Sequence, residues 1–392
     1  MKKIGIIGAG AMGRGIAQVA AMAGCKVTVL DSSESACQEA QQSLGKIMAR
    51  LVEKNKISAD EAKEFQSSID YTSRLQQISA SELIIEAVVE NLEVKKTLFA
   101  NLEDVVSDSC VLATNTSSLS VTSLAAACRH PSRVLGLHFF NPAPLMPLVE
   151  VVSALQTDEE IKKKCTQEMQ DWGKVPVSVK DTPGFIVNRV ARPYYGEALR
   201  IYDEGFGGLP RTVEAFATID WAMTEIGKFR MGPFELMDFI GNDINYTVTR
   251  SVYESFFYDP RYKPSFTQKA IFDAGYFGRK SGMGYYNYSD HQAKPKPMED
   301  SVLGQKIVDR IVAMLIHEAA DAHFWGIASE EDIDLAMTKG VNYPKGLLAW
   351  ADEIGIPECV QRMDLLYEEY REDRYRCSPL LRKMAQDRRK FY

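Results

Sequence analysis

The stretch Lys3-Ile4-Gly5-Ile6-Ile7-Gly8-Ala9-Gly10-Ala11-Met12-Gly13 decides the fold of the N-terminal half. An apolar β-type run over 3–8 feeds straight into G-x-G-x-x-G and then into a helical pattern. In that setting the first glycine makes a tight turn, the second lets the backbone approach a pyrophosphate, and the third lets the helix pack on the strand. Amides at the helix N-terminus then hold the negative charge. A second apolar run, 26–31, ends in Asp31, 18 residues beyond Gly13, where a carboxylate takes a ribose 2′-hydroxyl. Ser32 and Ser33 follow, and no arginine stands there to pair a 2′-phosphate. The candidates for cofactor binding are therefore Gly8, Ala9, Gly10, Ala11, Met12, Gly13 and Asp31, with NAD preferred over NADP.

Moving outward, apolar runs at 83–88, 110–114, 133–139, 148–153 and 175–180 alternate with amphipathic stretches. Helix 34–54 is the longest of these, and Ser58 with Glu61 and Thr157 with Glu160 have the spacing of capping boxes. This alternation predicts an α/β Rossmann domain over 1–182, with a doubly wound, mostly parallel sheet. Beyond Asp181-Thr182-Pro183-Gly184 the strands stop and helical periodicity takes over. Two tandem all-α domains are expected there, because the region repeats itself. Ile219-Asp220-Trp221-Ala222-Met223 returns as Ile333-Asp334-Leu335-Ala336-Met337, an offset of 114 that also carries Asp238 onto Asp352. Upstream the offset is 121, taking Ile186-Val187-Asn188-Arg189 onto Ile307-Val308-Asp309-Arg310 and Glu197 onto Glu318. Matches at non-apolar positions favour duplication over chance likeness between amphipathic helices. The copies are placed at 183–290 and 301–392, joined by the proline-rich linker 292–297.

Composition bounds the function. At roughly 150 residues per domain, 392 residues allow two or three domains. With 45% hydrophobic and 25% charged residues, neither a disordered nor a fibrous chain is tenable. The net charge of −7, without a long basic block, argues against nucleic acid as a partner. Seven cysteines without a C-x-x-C pair predict neither a disulfide framework nor a metal site, and fit the reducing cytoplasm. Glycines interrupt the first apolar run before it could serve as a signal peptide, and no run of about 20 apolar residues predicts a membrane span.

Three polar residues stand where apolar ones are expected: His138 in Val134–Phe140, Glu150 in Leu148–Val152, and Asn188 at the start of the helical region. A carboxylate buried in a strand must be paired or protonated. His138 and Glu150 are natural partners, the acid fixing the imidazole tautomer and stabilising its charged form. Asn188 reads equally well as a helix cap.

Gly8–Gly13, Glu86-Ala87-Val88-Val89-Glu90-Asn91-Leu92, Asn115-Thr116-Ser117-Ser118, His138-Phe139-Phe140-Asn141-Pro142, Asp181–Arg189 and Gly278-Arg279-Lys280-Ser281-Gly282 together resemble the L-3-hydroxyacyl-CoA dehydrogenases over nearly the whole chain. The resemblance implies that His138 is the catalytic base, Glu150 its orienting partner, and Ser117 and Asn188 hydrogen-bond donors to substrate oxygens. It also implies that Glu90, Lys95, Ser117, Asn141 and Lys280 line the NAD site, and that Ser117 and Asn141 touch the acyl-CoA substrate as well. Coenzyme A would lie along helix 34–54, where Lys46, Arg50 and Lys54 share a face and Lys54 fits the family pattern best, although spacing alone reads that row as a solvated helix face. The second helical copy would be structural, forming an internal pseudo-dimer, and the chain would be a monomer or a homodimer. Two other functions are compatible with the same residues: a dehydrogenase of a free hydroxy acid, of the L-gulonate type, and a non-catalytic NAD-binding structural protein.

Overall fold

In the computed structural model, residues 1–289 and 295–392 are described, so 292–294 of the expected linker lie outside the described residues. The chain divides into two compact units, Met1–Phe185 and Ile186–Tyr392.

The first unit is an eight-stranded sheet: β1 (Lys3–Ile7), β2 (Lys26–Leu30), β3 (Ile69–Thr72), β4 (Leu83–Glu86), β5 (Val111–Thr114), β6 (Val134–Phe139), β7 (Leu148–Ser153) and β8 (Val175–Lys180). Their spatial order is β3-β2-β1-β4-β5-β6-β7-β8, and every neighbouring pair is parallel except β6 and β7. Helices α1 (Ala11–Met22), α2 (Glu34–Glu53), α3 (Ala59–Ser67), α4 (Leu92–Glu103), α5 (Val121–Ala125) and α6 (Glu159–Asp171) connect the strands. Ile4, Ile6, Val27, Val29, Ile85, Val111 and Leu135 are buried in the core between sheet and helices. This is the buried parallel sheet that βαβ crossovers produce. Strand β3 is the one the sequence did not announce. It is a four-residue edge strand that buries only Ile69 and Thr72, too short to show a period.

Local signals decide the helix ends. Ser58 and Glu61 form the reciprocal capping box at α3. At α6 the cap falls one residue later than Thr157–Glu160 spacing predicts. Asp158 accepts from the Glu160 amide, while the Thr157 hydroxyl donates to the Val134 carbonyl at 2.6 Å and so ties the loop to β6.

The second unit is helical. Its first half holds α7 (Val187–Val190), α8 (Arg192–Glu204), α9 (Val213–Trp221), α10 (Pro233–Ile240), α11 (Asn242–Ser255) and α12 (Phe266–Asp273). Its second half holds α13 (Ser301–Phe324), α14 (Glu330–Gly340), α15 (Leu347–Ile354), α16 (Ile356–Tyr370) and α17 (Pro379–Asp387). The repeat is carried into three dimensions by matching carboxylates. Asp220 accepts from the amides of Phe234 and Glu235 at the start of α10, both at 2.9 Å, and Asp334 accepts from Leu348 and Ala349 at the start of α15, at 2.8 and 2.9 Å. Asp238 accepts from the amides of Tyr285 and Tyr286, and Asp352 from those of Phe391 and Tyr392.

The halves meet through reciprocal contacts. Arg189 pairs with Glu318 at 2.5 Å and Arg310 with Glu197 at 3.0 Å, the same two repeat positions with the copies exchanged. The Tyr262 hydroxyl reaches Glu318 at 2.5 Å, and that of Tyr375 reaches Glu197 at 2.8 Å. On the local axis Phe229 and Tyr343 meet edge to face, their ring centroids 4.9 Å apart. Residue i contacting j′ while j contacts i′ is the pattern of a two-fold interface, here built within one chain. Burial opposes the charges of Glu197 and Glu318, but the arginines and tyrosines around them outweigh it and hold both carboxyls below their usual range.

Candidate active site

The turn after β1 is shaped by steric exclusion. Gly8 has φ +106°, and a Cβ there would stand 2.5 Å from the Ala87 carbonyl oxygen; a Cβ on Gly13 would stand 1.8 Å from the Gly8 carbonyl oxygen. Neither position accepts alanine without moving the backbone. A Cβ on Gly10, by contrast, would meet no atom within 4 Å, so this face of the turn is open. It opens on a cleft of about 540 Å³ whose walls include Gly8, Gly10, Asp31, Val88, Val94 and Leu98. Asp31 braces the turn from the side, accepting from the Ala9 amide at 2.8 Å and the Ser33 amide at 3.0 Å. An open glycine backbone at a helix N-terminus, a carboxylate on one wall and apolar side chains on another fit a dinucleotide.

A buried polar network lies next along the sheet. Glu86 ends β4 fully buried, accepts from the Val88 amide and the Thr114 hydroxyl at 2.7 Å each, and pairs with Lys95 at 3.0 Å. Lys95, only 1% exposed, also pairs with Glu90 at 2.9 Å. Glu90 in turn accepts from the Thr116 hydroxyl, the Ser117 amide and the Ser118 hydroxyl. Burial works against the Glu90 charge, but Lys95 and these hydroxyls hold its carboxyl below its usual value. Lys95 therefore faces Glu86 and Glu90 and forms no wall of the cleft, and its influence on a bound ligand would run through Glu90 and the 116–118 turn. The sequence reading missed Glu86 as part of this network. Its signal was there, since Glu86 closes the apolar run Leu83-Ile84-Ile85 as Glu150 interrupts its own.

The Ser117 turn is tied to β6. The Asn115 side chain accepts from the Phe139 amide at 2.8 Å, fixing the half-buried Ser117 segment beside the end of the strand that carries His138. His138 and Glu150 lie directly opposite each other in the one antiparallel pair of the sheet. His138 Nδ1 is 2.6 Å from Glu150 Oε2, with the glutamate side chain fully buried and the histidine 7% exposed. Phe140 and Phe185 flank the imidazole at 4.5 and 5.8 Å. A carboxylate accepting from Nδ1–H leaves Nε2 as the basic nitrogen and stabilises the imidazolium formed when it takes a proton. Asn141 follows, joined to Pro142 by a cis bond, and buried Lys174 holds the loop by donating to the carbonyls of Ala143 and Met146.

The remaining expected residues lie on other elements of the two units. Lys46, Arg50 and Lys54 are all exposed, with Lys54 at the C-terminal cap of α2. In the second unit Asn188 lies inside α7, whose N-cap is Ile186, so it does not cap that helix. Lys280 sits on the Gly278–Gly282 loop, paired with Asp243 at 2.6 Å.

The family model for the 3-hydroxyacyl-CoA dehydrogenase NAD binding domain matches residues 3–182, and that for the C-terminal domain of the same family matches 184–288 and again 307–390. The chain belongs to the 3-hydroxyacyl-CoA dehydrogenase family. It is an NAD-dependent oxidoreductase of that type, which sets aside the free hydroxy-acid and non-catalytic alternatives. Among its relatives is 3-hydroxyadipyl-CoA dehydrogenase of Escherichia coli K12, 36% identical over 98% of both chains. The 3-hydroxybutyryl-CoA dehydrogenase of Mycobacterium tuberculosis is 39% identical over 74% of this chain and 99% of its own. The crystal structure of 3-hydroxybutyryl-CoA dehydrogenase from Escherichia coli K12 superposes with a TM-score of 0.92, at 35% identity and 98% coverage of both chains. Among the described residues no helix is long and apolar enough to cross a membrane, and no group of histidine, cysteine and acidic side chains could hold a metal ion.

Proposed function

We propose that this dehydrogenase interconverts short-chain (S)-3-hydroxyacyl-CoA and 3-oxoacyl-CoA, with His138 as the general base. The His138–Glu150 pair carries the reading: a buried, cross-strand, tautomer-fixing hydrogen bond in the NAD-binding unit. His138 Nε2 takes the hydroxyl proton, and Glu150 steadies the resulting imidazolium. Ser117 and Asn188 hydrogen-bond the substrate oxygen, Asn188 from α7. NAD, when bound, supplies the hydride acceptor. The turn Gly8–Gly13 and Asp31 would hold its pyrophosphate and ribose, with Glu90, Asn141 and Lys280 as further contacts and Lys95 positioning Glu90. Coenzyme A would run along the exposed Lys46–Arg50–Lys54 face of α2, with Lys54 nearest its phosphates. The names of the hydroxybutyryl and hydroxyadipyl relatives support a short acyl chain.

We further infer that the two helical copies, 183–290 and 301–392, act as catalytic copy and structural copy, and that their reciprocal interface takes the place of a homodimer, leaving a monomer. A cytoplasmic site of action is supported by seven free, buried thiols. The test of the chemistry is His138→Gln assayed with acetoacetyl-CoA and NADH. Turnover should fall at least about a hundredfold, the usual worth of a general base, while NADH still binds. Near-normal turnover would remove His138 from the mechanism.

A further inference from the structure

The second unit contains a pocket with no part in the reaction described above. Its lining comes from α8, α11, the turn Arg261–Lys263 and the start of α12, and includes four cations, Arg192, Arg200, Arg261 and Lys263, with no acid among them. Three of these cations are accounted for. Arg261 is matched by Asp259 at 2.8 Å and Asp321 at 2.6 Å, and Arg200 donates to the carbonyls of Pro260 and Lys263 and lies 3.8 Å from Glu197. Lys263 is exposed, with water in reach.

Arg192 differs from them. It is 7% exposed, its Nη1 makes one long hydrogen bond to the Thr249 hydroxyl at 3.3 Å, and its guanidinium lies 4.8 Å over the Tyr195 ring. Its Nε is buried with no hydrogen-bond acceptor. Among the described residues no carboxylate pairs with it, so burial pulls its pKa down with only tyrosines opposing. An arginine nevertheless stays protonated in a protein, and a buried charge without a counter-charge is among the costliest arrangements a fold can hold.

We propose that this pocket binds one small inorganic anion of the halide class, hydrogen-bonded to Arg192 Nε and ringed by Arg200, Arg261 and Lys263. Size selects the class. The pocket is about 10 Å³, the scale of a single water, so a phosphate, a sulfate or the carboxylate end of an acyl chain is excluded, and a monoatomic anion enters with a small outward shift of the Arg200 and Lys263 side chains. Asn245 Nδ2 and Gln268 Oε1, also buried without partners, are one donor and one acceptor. A water in place of the anion would leave the Arg192 charge unmatched. Because Arg261 also reaches Glu318 and Asp321 on α13, the anion would brace the contact between the two helical copies.

The experiment uses crystals of the full chain soaked in sodium bromide, with data collected above the bromine absorption edge. An anomalous peak within hydrogen-bond reach of Arg192 Nε is expected, and its absence overturns the proposal. In solution, melting in sodium chloride should exceed melting in sodium gluconate at equal ionic strength by about 2–4 °C. Arg192→Met should erase that difference. Equal melting of the wild-type chain in both salts, or an undiminished chloride effect in the variant, also overturns it. If Arg192→Met does not fold, the bromide map decides alone.

Discussion

The two halves of the helical unit descend from one pattern and have kept different parts of it. Both keep the carboxylates that clamp a following helix, Asp220 and Asp334, and both keep the arginine and glutamate that reach across to the other half. They part at two places. Where the first half has Asn188, the second has Asp309, which is tied to Arg362 at 3.0 Å and to Gln305 at 2.9 Å on the surface. Where the first half carries the Gly278–Gly282 loop with Lys280, the second goes from α17 to Phe391-Tyr392 without it, yet clamps those two residues on Asp352 as Asp238 clamps Tyr285 and Tyr286. The retained features serve folding and pairing. The lost ones are those assigned to ligands.

The largest test of this contrast removes one half. Truncation after Ser289 should expose the apolar face of α8 and give dimers or aggregates by light scattering, since Tyr194, Tyr195, Ala198 and Ile201 are buried there. A soluble monomer with unaltered melting would mean the second half supports nothing. Next, Asn188→Asp writes the second half's residue into the first. It should lower kcat by about 100-fold or more, the scale of losing one oxyanion donor, with little change in melting. The mirror change, Asp309→Asn, should leave kcat alone, and equal losses in both variants would erase the distinction.

Stability should treat the halves alike. Glu197→Gln and Glu318→Gln each remove the buried carboxylate that faces an arginine of the other half, Arg310 keeping Glu204 at 2.9 Å, a loss of about 3–5 kcal/mol in urea denaturation. Values differing by more than about 2 kcal/mol would show that the interface is not two-fold in energy. The smallest effect concerns pH. Both glutamates have folded pKa values below their unfolded ones, so their contribution is complete above the unfolded value near about 4.3 and drains away as pH falls through the folded values. Melting should therefore decline below about pH 4, more steeply in wild type than in the double glutamine variant.

Legibility followed the range of the physical signal. The glycine turn, Asp31 and the alternation of strands and helices are short-range patterns, and they led directly to the parallel sheet. The His138–Glu150 pair was readable because each residue interrupts an apolar run, an anomaly that burial must resolve. Glu86 gave the same anomaly and was passed over because its partners, Thr114 and Lys95, come from other elements. Strand β3 was hidden by its length. The offsets revealed two copies, but which residues face each other depends on how helices pack, so the exchange of Arg189–Glu318 with Arg310–Glu197 appears only in three dimensions. The kinship of Tyr285-Tyr286 with Phe391-Tyr392 was masked by the missing loop, which shifts the register.

The edge-to-face pair of Phe229 and Tyr343 has an evolutionary reading. In a homodimer a residue on the two-fold axis meets itself, so any mutation there arrives in duplicate and must suit its own copy. Encoding both halves in one gene lifts that constraint. Each side can drift alone, and a phenylalanine can face a tyrosine. A symmetric surface has thereby gained the freedom to become asymmetric, one substitution at a time.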